Sequence, residues 1–431
     1  MKKYLSILLA ALMFCACAED RDHILKVYNW SSYIGEGVVD DFEDWYEEQT
    51  GEPIKVIYQT FDINETMLSK IEKGKEDYDV TCPSEYIIER MLDSDLLLPL
   101  DFSVLPDSIN YIRNNQSPYM REMFSDISRK VDANDYSVPF MWGTTGFLYN
   151  PAFVSDSLVQ SWDALLAPEL QGKILLKDAS RDVFAPILIH LSQEELASGK
   201  TTLPDLMRNS SDSVIAKVEN YLKRVAPGVY GYEADFGKEQ MTQNKAWVSL
   251  NWSGDAIWAI EEAAAVGVEL RYIVPKEGSN VWFDGWVIPK YARNVKAATM
   301  FIDFMCRPDI AIRNMDETGY VAANGDISVL ESQIDEELDP IDLSYFFPGM
   351  DSVCVDPGLY PDKAMIERCT MMHDWGENTY KLTEMWGRVK GSNANAMTII
   401  VIAVAFGVLL VFGVRKKFFK KSHRRQRRRK R

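Results

Sequence analysis

Four short stretches of this chain gather aromatic rings, and most of them add a carboxylate. They read Asn29-Trp30-Ser31-Ser32-Tyr33, Cys82-Pro83-Ser84-Glu85-Tyr86, Asn251-Trp252-Ser253-Gly254-Asp255 and Val281-Trp282-Phe283-Asp284. The negative face of an indole or phenol attracts an ammonium group and covers the methylenes beside it. A carboxylate supplies the partner that a desolvated cation requires. Trp30, Tyr33, Trp252 and Trp282 read as walls, and Asp255 and Asp284 as anchors, with Asp182 a further anchor candidate. Ser31, Ser84 and Tyr86 offer neutral hydrogen bonds. Together these residue types suit the binding of a small organic cation.

Each of these residues also has a purely structural reading. A tryptophan in an α/β protein more often fills a core than walls a site. Asp255 stands where a helix begins and is placed to cap it. Ser84 after Pro83 is placed to stabilise a turn, and Asp182 to sit on a solvated surface. Catalysis is a poorer fit. The body holds only three histidines, His23, His190 and His373, and no HExxH, GxSxG or Walker-type segment. No enzyme is expected, nor any metal or other cofactor. Cys82, Cys306, Cys354 and Cys369 lack metal-type spacing. They read equally as free buried thiols or as disulfide formers, with Cys354 and Cys369 the nearest pair in sequence.

The elements that must carry these loops alternate. Ile24–Tyr28, Ile54–Tyr58 and Tyr78–Thr81 read as strands. Between them, 37–50 and 65–73 read as amphipathic helices, the first with Val38, Phe42, Trp45 and Tyr46 near one face. The rhythm returns at Trp247–Leu250 with a helix at 255–265, and at Trp286–Pro289 with a helix at 295–306. Strands separated by helical crossovers predict parallel pairing and an α/β fold. Ligands of such sheets bind at the loops beyond the carboxyl ends of the strands, which is where most of the ring-bearing stretches fall.

The ends give a location. Met1-Lys2-Lys3 followed by an apolar run to Phe14 and small residues reads as a secretory leader over 1–17. Cys17, with Ala16 before it, resembles a lipidation site. Residues 396–414 are uncharged and almost wholly apolar, long enough to span a bilayer. Residues 415–431 hold twelve Lys or Arg and no acid, which predicts a cytoplasmic tail. These features predict an exported, membrane-anchored protein on the periplasmic face of the inner membrane. The formal charge of −17 is diluted by the tail. Residues 4–414 hold 33 basic side chains against 64 acidic ones, a net of −31, which repels nucleic acid and favours cationic ligands.

The body resembles the periplasmic spermidine/putrescine-binding proteins of ABC importers over about residues 24–390. The resemblance is carried by Val27-Tyr28-Asn29-Trp30-Ser31, Phe61-Asp62-Ile63-Asn64-Glu65 and Pro139-Phe140-Met141-Trp142-Gly143-Thr144-Thr145-Gly146. Pro275-Lys276-Glu277-Gly278, Arg307-Pro308-Asp309 and Gly319-Tyr320 follow in the family's order. The resemblance implies a two-lobed, type II periplasmic-binding-protein fold with the ligand cleft between lobes, to which the sequence adds one C-terminal transmembrane helix. It implies lobe 1 at 24–139 with 281–330 and lobe 2 at 140–280 with 331–390. The first passage between lobes falls at 139–150 and the return at 282–289. It implies a polyamine ligand, ABC permease subunits as partners, a monomer and no catalysis. A membrane-anchored sensor of polyamine or another small cation is the alternative.

By motif match the implied ligand residues are Trp30, Ser31, Tyr33, Ser84, Tyr86, Asp182, Trp252, Asp255, Trp282, Asp284 and Tyr320. Two positions depart from spermidine-preferring members, which carry acids where Ser32 and Ala179 stand here. Asp255, three residues after Trp252, matches the putrescine-preferring members. These departures predict a shorter diamine such as putrescine, while Glu85 beside Tyr86 restores a charge and blurs that preference.

Overall fold

The computed structural model describes residues 21–391, except 107–109 and 234–236. Apolar and β-branched runs form its strands in the order β1 Ile24–Trp30, β2 Lys55–Phe61, β3 Val80–Thr81, β4 Leu97–Leu98, β5 Ser137–Tyr149 and β6 Ile174–Lys177. Then come β7 Val229–Glu233, β8 Val248–Trp252, β9 Arg271–Ile273, β10 Val281–Pro289 and β11 Val321–Ala322. Among the described residues these eleven strands form one sheet with a central path β2-β1-β3-β10-β5-β8-β6-β7.

Pairing is parallel where a helix crosses over, as expected. β1 lies parallel to β2 and β3, and β6 lies parallel to β7 and β8. β5 and β10 differ from the expectation, because both run antiparallel to their neighbours. They are also buried along their whole length, so neither shows the apolar-polar alternation of a strand with one face in water.

β5 divides the molecule. Its residues up to Thr144 pair with β10, and from Thr145 on they pair with β8. The side chains divide at the same place. Trp142 packs with Phe283, Phe346 and Tyr360 in one core, and Phe147 packs with Trp162 in another. Two lobes result, each with its own core. The chain crosses between them at Thr144/Thr145 and again near Ser279–Val281, where the chain enters β10.

A third crossing near Thr370 joins the same junction. The Thr370 amide donates to the Ser279 carbonyl, and the Val281 amide donates to the Thr370 carbonyl. Two boundary expectations shift as a result. Leu343, Phe346, Phe347, Val355, Tyr360 and Met371 belong to the first core, and only from Met372 does the chain join the second. Residues 343–371 therefore side with lobe 1, because their large rings fill the space over β5 and β10. The return passage precedes Trp282 rather than spanning 282–289, which is a lobe 1 strand.

The expected fold class is corrected in one respect. The two-lobed α/β architecture is present, but no helix among the described residues is long and apolar enough to cross a membrane. The longest of them, Asp212–Val225, has 14 residues. At about 1.5 Å per residue it spans roughly 20 Å against a bilayer core of about 30 Å. The span expected at 396–414 lies outside the described residues, as do the leader at 1–17 with Cys17 and the tail at 415–431. The open question of the body cysteines is answered: all four are free thiols.

Candidate functional site

The ring-bearing stretches converge where the lobes meet, and Asp284 lies at the centre. It sits inside β10 beside a register shift at Asp284/Gly285 and is 6% exposed. The Tyr33 hydroxyl donates to its Oδ2 over 2.7 Å, and the Ser84 hydroxyl donates to its Oδ1 over 2.6 Å. Burial pushes its carboxyl up to about 6; the two hydroxyl donors oppose that shift and the negative charge of Asp182 adds to it.

Two more acids share this field. Glu85 opens the helix Glu85–Asp93 and is 4% exposed, with Oε2 accepting from the Phe283 amide over 3.1 Å. Burial pushes its carboxyl well up, and Asp284 and Asp182 push it further. Asp182 comes from the other lobe, in the first turn of the helix Ser180–Leu191. It is half-buried and accepts from Asn280 Nδ2 over 3.0 Å, and the nearby Trp252 indole favours its charged form. Burial raises its carboxyl too. Helix N-termini stabilise Glu85 and Asp182 as anions, yet the three acids repel one another. A cation among them relieves both costs.

The walls stand around these acids. Trp282 lies edge-on to Tyr320 at 5.4 Å, and Tyr320 meets Tyr33 at the same distance. Gly143 lets Trp282 lie across β5, since a Cβ there would come within 2.6 Å of the indole. Tyr86 receives a hydrogen bond from Asn64 and carries the Arg181 guanidinium 3.9 Å over its ring. That stack joins the two lobes, as does Tyr320, whose hydroxyl donates to Asp255 Oδ1 over 2.6 Å. Arg90 adds a third link through Asp374 and Thr379.

Asp255 is not a helix cap. Trp252 is the N-cap residue of the helix Ser253–Ala265, and Asp255 lies in its first turn. Its Oδ2 pairs with Lys177 Nζ at 2.5 Å. Lys177 ends β6 with only 2% of its side chain exposed. Its Nζ lies 4.3 Å from the Trp252 ring centroid and 3.7 Å from Glu233.

Nine of the eleven expected ligand residues thus meet at the lobe junction: Tyr33, Ser84, Tyr86, Asp182, Trp252, Asp255, Trp282, Asp284 and Tyr320. Trp30 instead packs on Phe61 at 4.5 Å, half-buried at the end of β1, and Ser31 is exposed in the turn that follows. Reading the sequence did not single out Lys177, Arg181, Glu233 and Asn280, which the structure brings to the same junction. For Lys177 there was a signal: a lysine closes the apolar strand Ile174-Leu175-Leu176 at its carboxyl end, where such sheets place ligands.

A family model described as bacterial extracellular solute-binding protein matches residues 38–335. The chain is 30% identical over 396 residues to the spermidine/putrescine-binding periplasmic protein of Escherichia coli, covering 90% of this chain and 99% of that protein. It is also 30% identical over 340 residues to the putrescine-binding periplasmic protein of the same organism, covering 75% and 85% respectively. Among solved structures, the spermidine/putrescine ABC transporter substrate-binding protein of Streptococcus pneumoniae is 31% identical. It aligns with a TM-score of 0.65 over 86% of this chain and 99% of that chain.

Proposed function

The chain belongs to the spermidine/putrescine-binding proteins within the bacterial extracellular solute-binding family, and from that premise we propose that it captures a polyamine between its lobes for an ABC permease. The observation that carries this reading is the meeting of buried Asp284 and Glu85 from one lobe with half-buried Asp182 from the other, against the rings of Tyr33, Trp252 and Trp282. An ammonium head seated there neutralises the repulsion among these acids, which Arg181 and Lys177 already oppose at Asp182, and the aromatic faces cover the alkyl chain. Because the acids come from both lobes, the ligand favours the closed arrangement over an open one and shifts the population toward it. No bond is made or broken, and the relatives matched are binding proteins rather than enzymes.

We take the ligand to be a short polyamine, with putrescine preferred over spermidine. Ser32 and Ala179 stand where longer-chain binders carry acids, which leaves fewer carboxylates for a third ammonium. Calorimetric titration of the full chain with putrescine and spermidine tests both levels. Saturable binding of either supports the ligand class, and tighter binding of putrescine supports the preference. The absence of heat and of any melting shift with both would remove the reading.

A further inference from the structure

Lys177 places an ammonium group inside the site that is proposed to receive one. Its Nζ has the surroundings of a bound amine head, with the Asp255 carboxylate at 2.5 Å, the Trp252 face at 4.3 Å and Glu233 at 3.7 Å. Its backbone is held at the end of β6 between β7 and β8. Its side chain has almost no access to solvent, so it cannot carry its charge out to water as surface lysines do. Both oxygens of Asp255 are thereby engaged, Oδ2 by Lys177 and Oδ1 by the Tyr320 hydroxyl.

We propose that Lys177 is a resident cation beside Asp255, the anchor expected for a second amine head, so that the cleft takes a short amine with one ammonium head and an uncharged far end, such as a mono-N-acylated diamine, at least as tightly as the corresponding diamine. This rests on the cleft being the amine site. The head sits among Asp284, Asp182 and Glu85, and the alkyl chain lies along Trp282 and Trp252. The far end then arrives beside Lys177. A second ammonium there meets a like charge and finds Asp255 already paired, and like charges forced together disfavour a partner. An amide end carries no such repulsion, and its carbonyl accepts a hydrogen bond from the lysine ammonium.

The test compares putrescine with N-acetylputrescine, which has the same carbon chain and one charge fewer. Calorimetry on the full-length chain is expected to give N-acetylputrescine an affinity equal to that of putrescine or higher, and Lys177→Met is expected to move the ratio toward putrescine by about tenfold or more. A clear advantage for putrescine in the unaltered chain overturns the proposal, because the ligand then displaces Lys177 rather than yielding to it. That comparison needs no variant, so it decides the matter even where Lys177→Met fails to fold. A folded Lys177→Met with an unchanged ratio also overturns it. If neither amine, nor spermidine, binds the unaltered chain, the polyamine reading itself fails and takes this inference with it.

Discussion

Tyr320 reaches from lobe 1 to donate its hydroxyl hydrogen to Asp255 of lobe 2 over 2.6 Å, and its ring contacts Tyr33, the phenol that holds Asp284. One pair of tyrosines thus connects an acid of each lobe.

Tyr320→Phe keeps the ring and removes only that donor. A hydrogen bond to a charged acceptor contributes about 1.5–3 kcal/mol, so polyamine affinity is expected to fall by roughly tenfold or more. The melting temperature of the ligand-free chain should barely move, since each lobe keeps its own core. Equal affinity by calorimetry would show that the bond does not contribute to closure.

Gly254→Ala tests closure by steric means. The added methyl carbon would stand 2.3 Å from the Tyr320 ring. Gly254 lies in the helix Ser253–Ala265, where alanine is favoured over glycine by about 0.5–1 kcal/mol. The ligand-free variant is therefore expected to melt no lower than the parent, while polyamine binding weakens by about tenfold or more because the lobes cannot meet. A larger radius of gyration in solution scattering is the accompanying sign. Unaltered binding would mean the two lobes do not approach at this point.

Asp284→Asn separates binding from stability. The folded-state carboxyl of Asp284 is raised from 3.8 to about 6 by burial. A raised acid contributes stability below its unfolded value and loses it as pH climbs through the folded one. The parent should therefore lose on the order of 2–3 kcal/mol relative to Asp284→Asn between about pH 4 and pH 7. Polyamine binding at neutral pH should be lost in the variant. Thermal melts at both pH values check the first outcome, and a gap independent of pH would contradict it.

Glu219→Gln probes the C-terminal helix Thr379–Gly391. Arg388 on that helix and Lys223 hold the Glu219 carboxyl down at about 2, with Arg388 the larger cause. Stability from a depressed acid is present above its unfolded value and lost as pH falls toward the folded one. Arg388 is half-exposed, so solvent screens the pair and the loss at pH 7 is expected to be about 1–2 kcal/mol. The variant should melt a few degrees lower at pH 7 with its ligand affinity intact. A full-sized drop that persists at pH 2 would point to packing instead.

The local alternation of strands and helices was legible because burial of one face imposes a period of 2 or 3.6 on the residues themselves. Val38, Phe42, Trp45 and Tyr46 line the buried face of their helix as their spacing requires. Trp282 and Asp284 were legible as chemistry, but not as part of a strand, since a wholly buried strand has no alternation to read. The third crossing at Thr370 left no local trace, because its hydrogen bonds join residues about 90 positions apart.

Sequence alone determined the α/β class, the acidic body and most of the residues at the lobe junction, since these follow from side-chain type and short-range spacing. Tertiary structure decided which carboxylates are left for a ligand. Asp255 and Lys177 are 78 positions apart, and a lysine at a strand end reads as solvated until the fold buries it. Burial then makes pairing compulsory, because a desolvated ammonium needs a carboxylate. The anchor expected for a second amine head is thereby engaged by the protein itself.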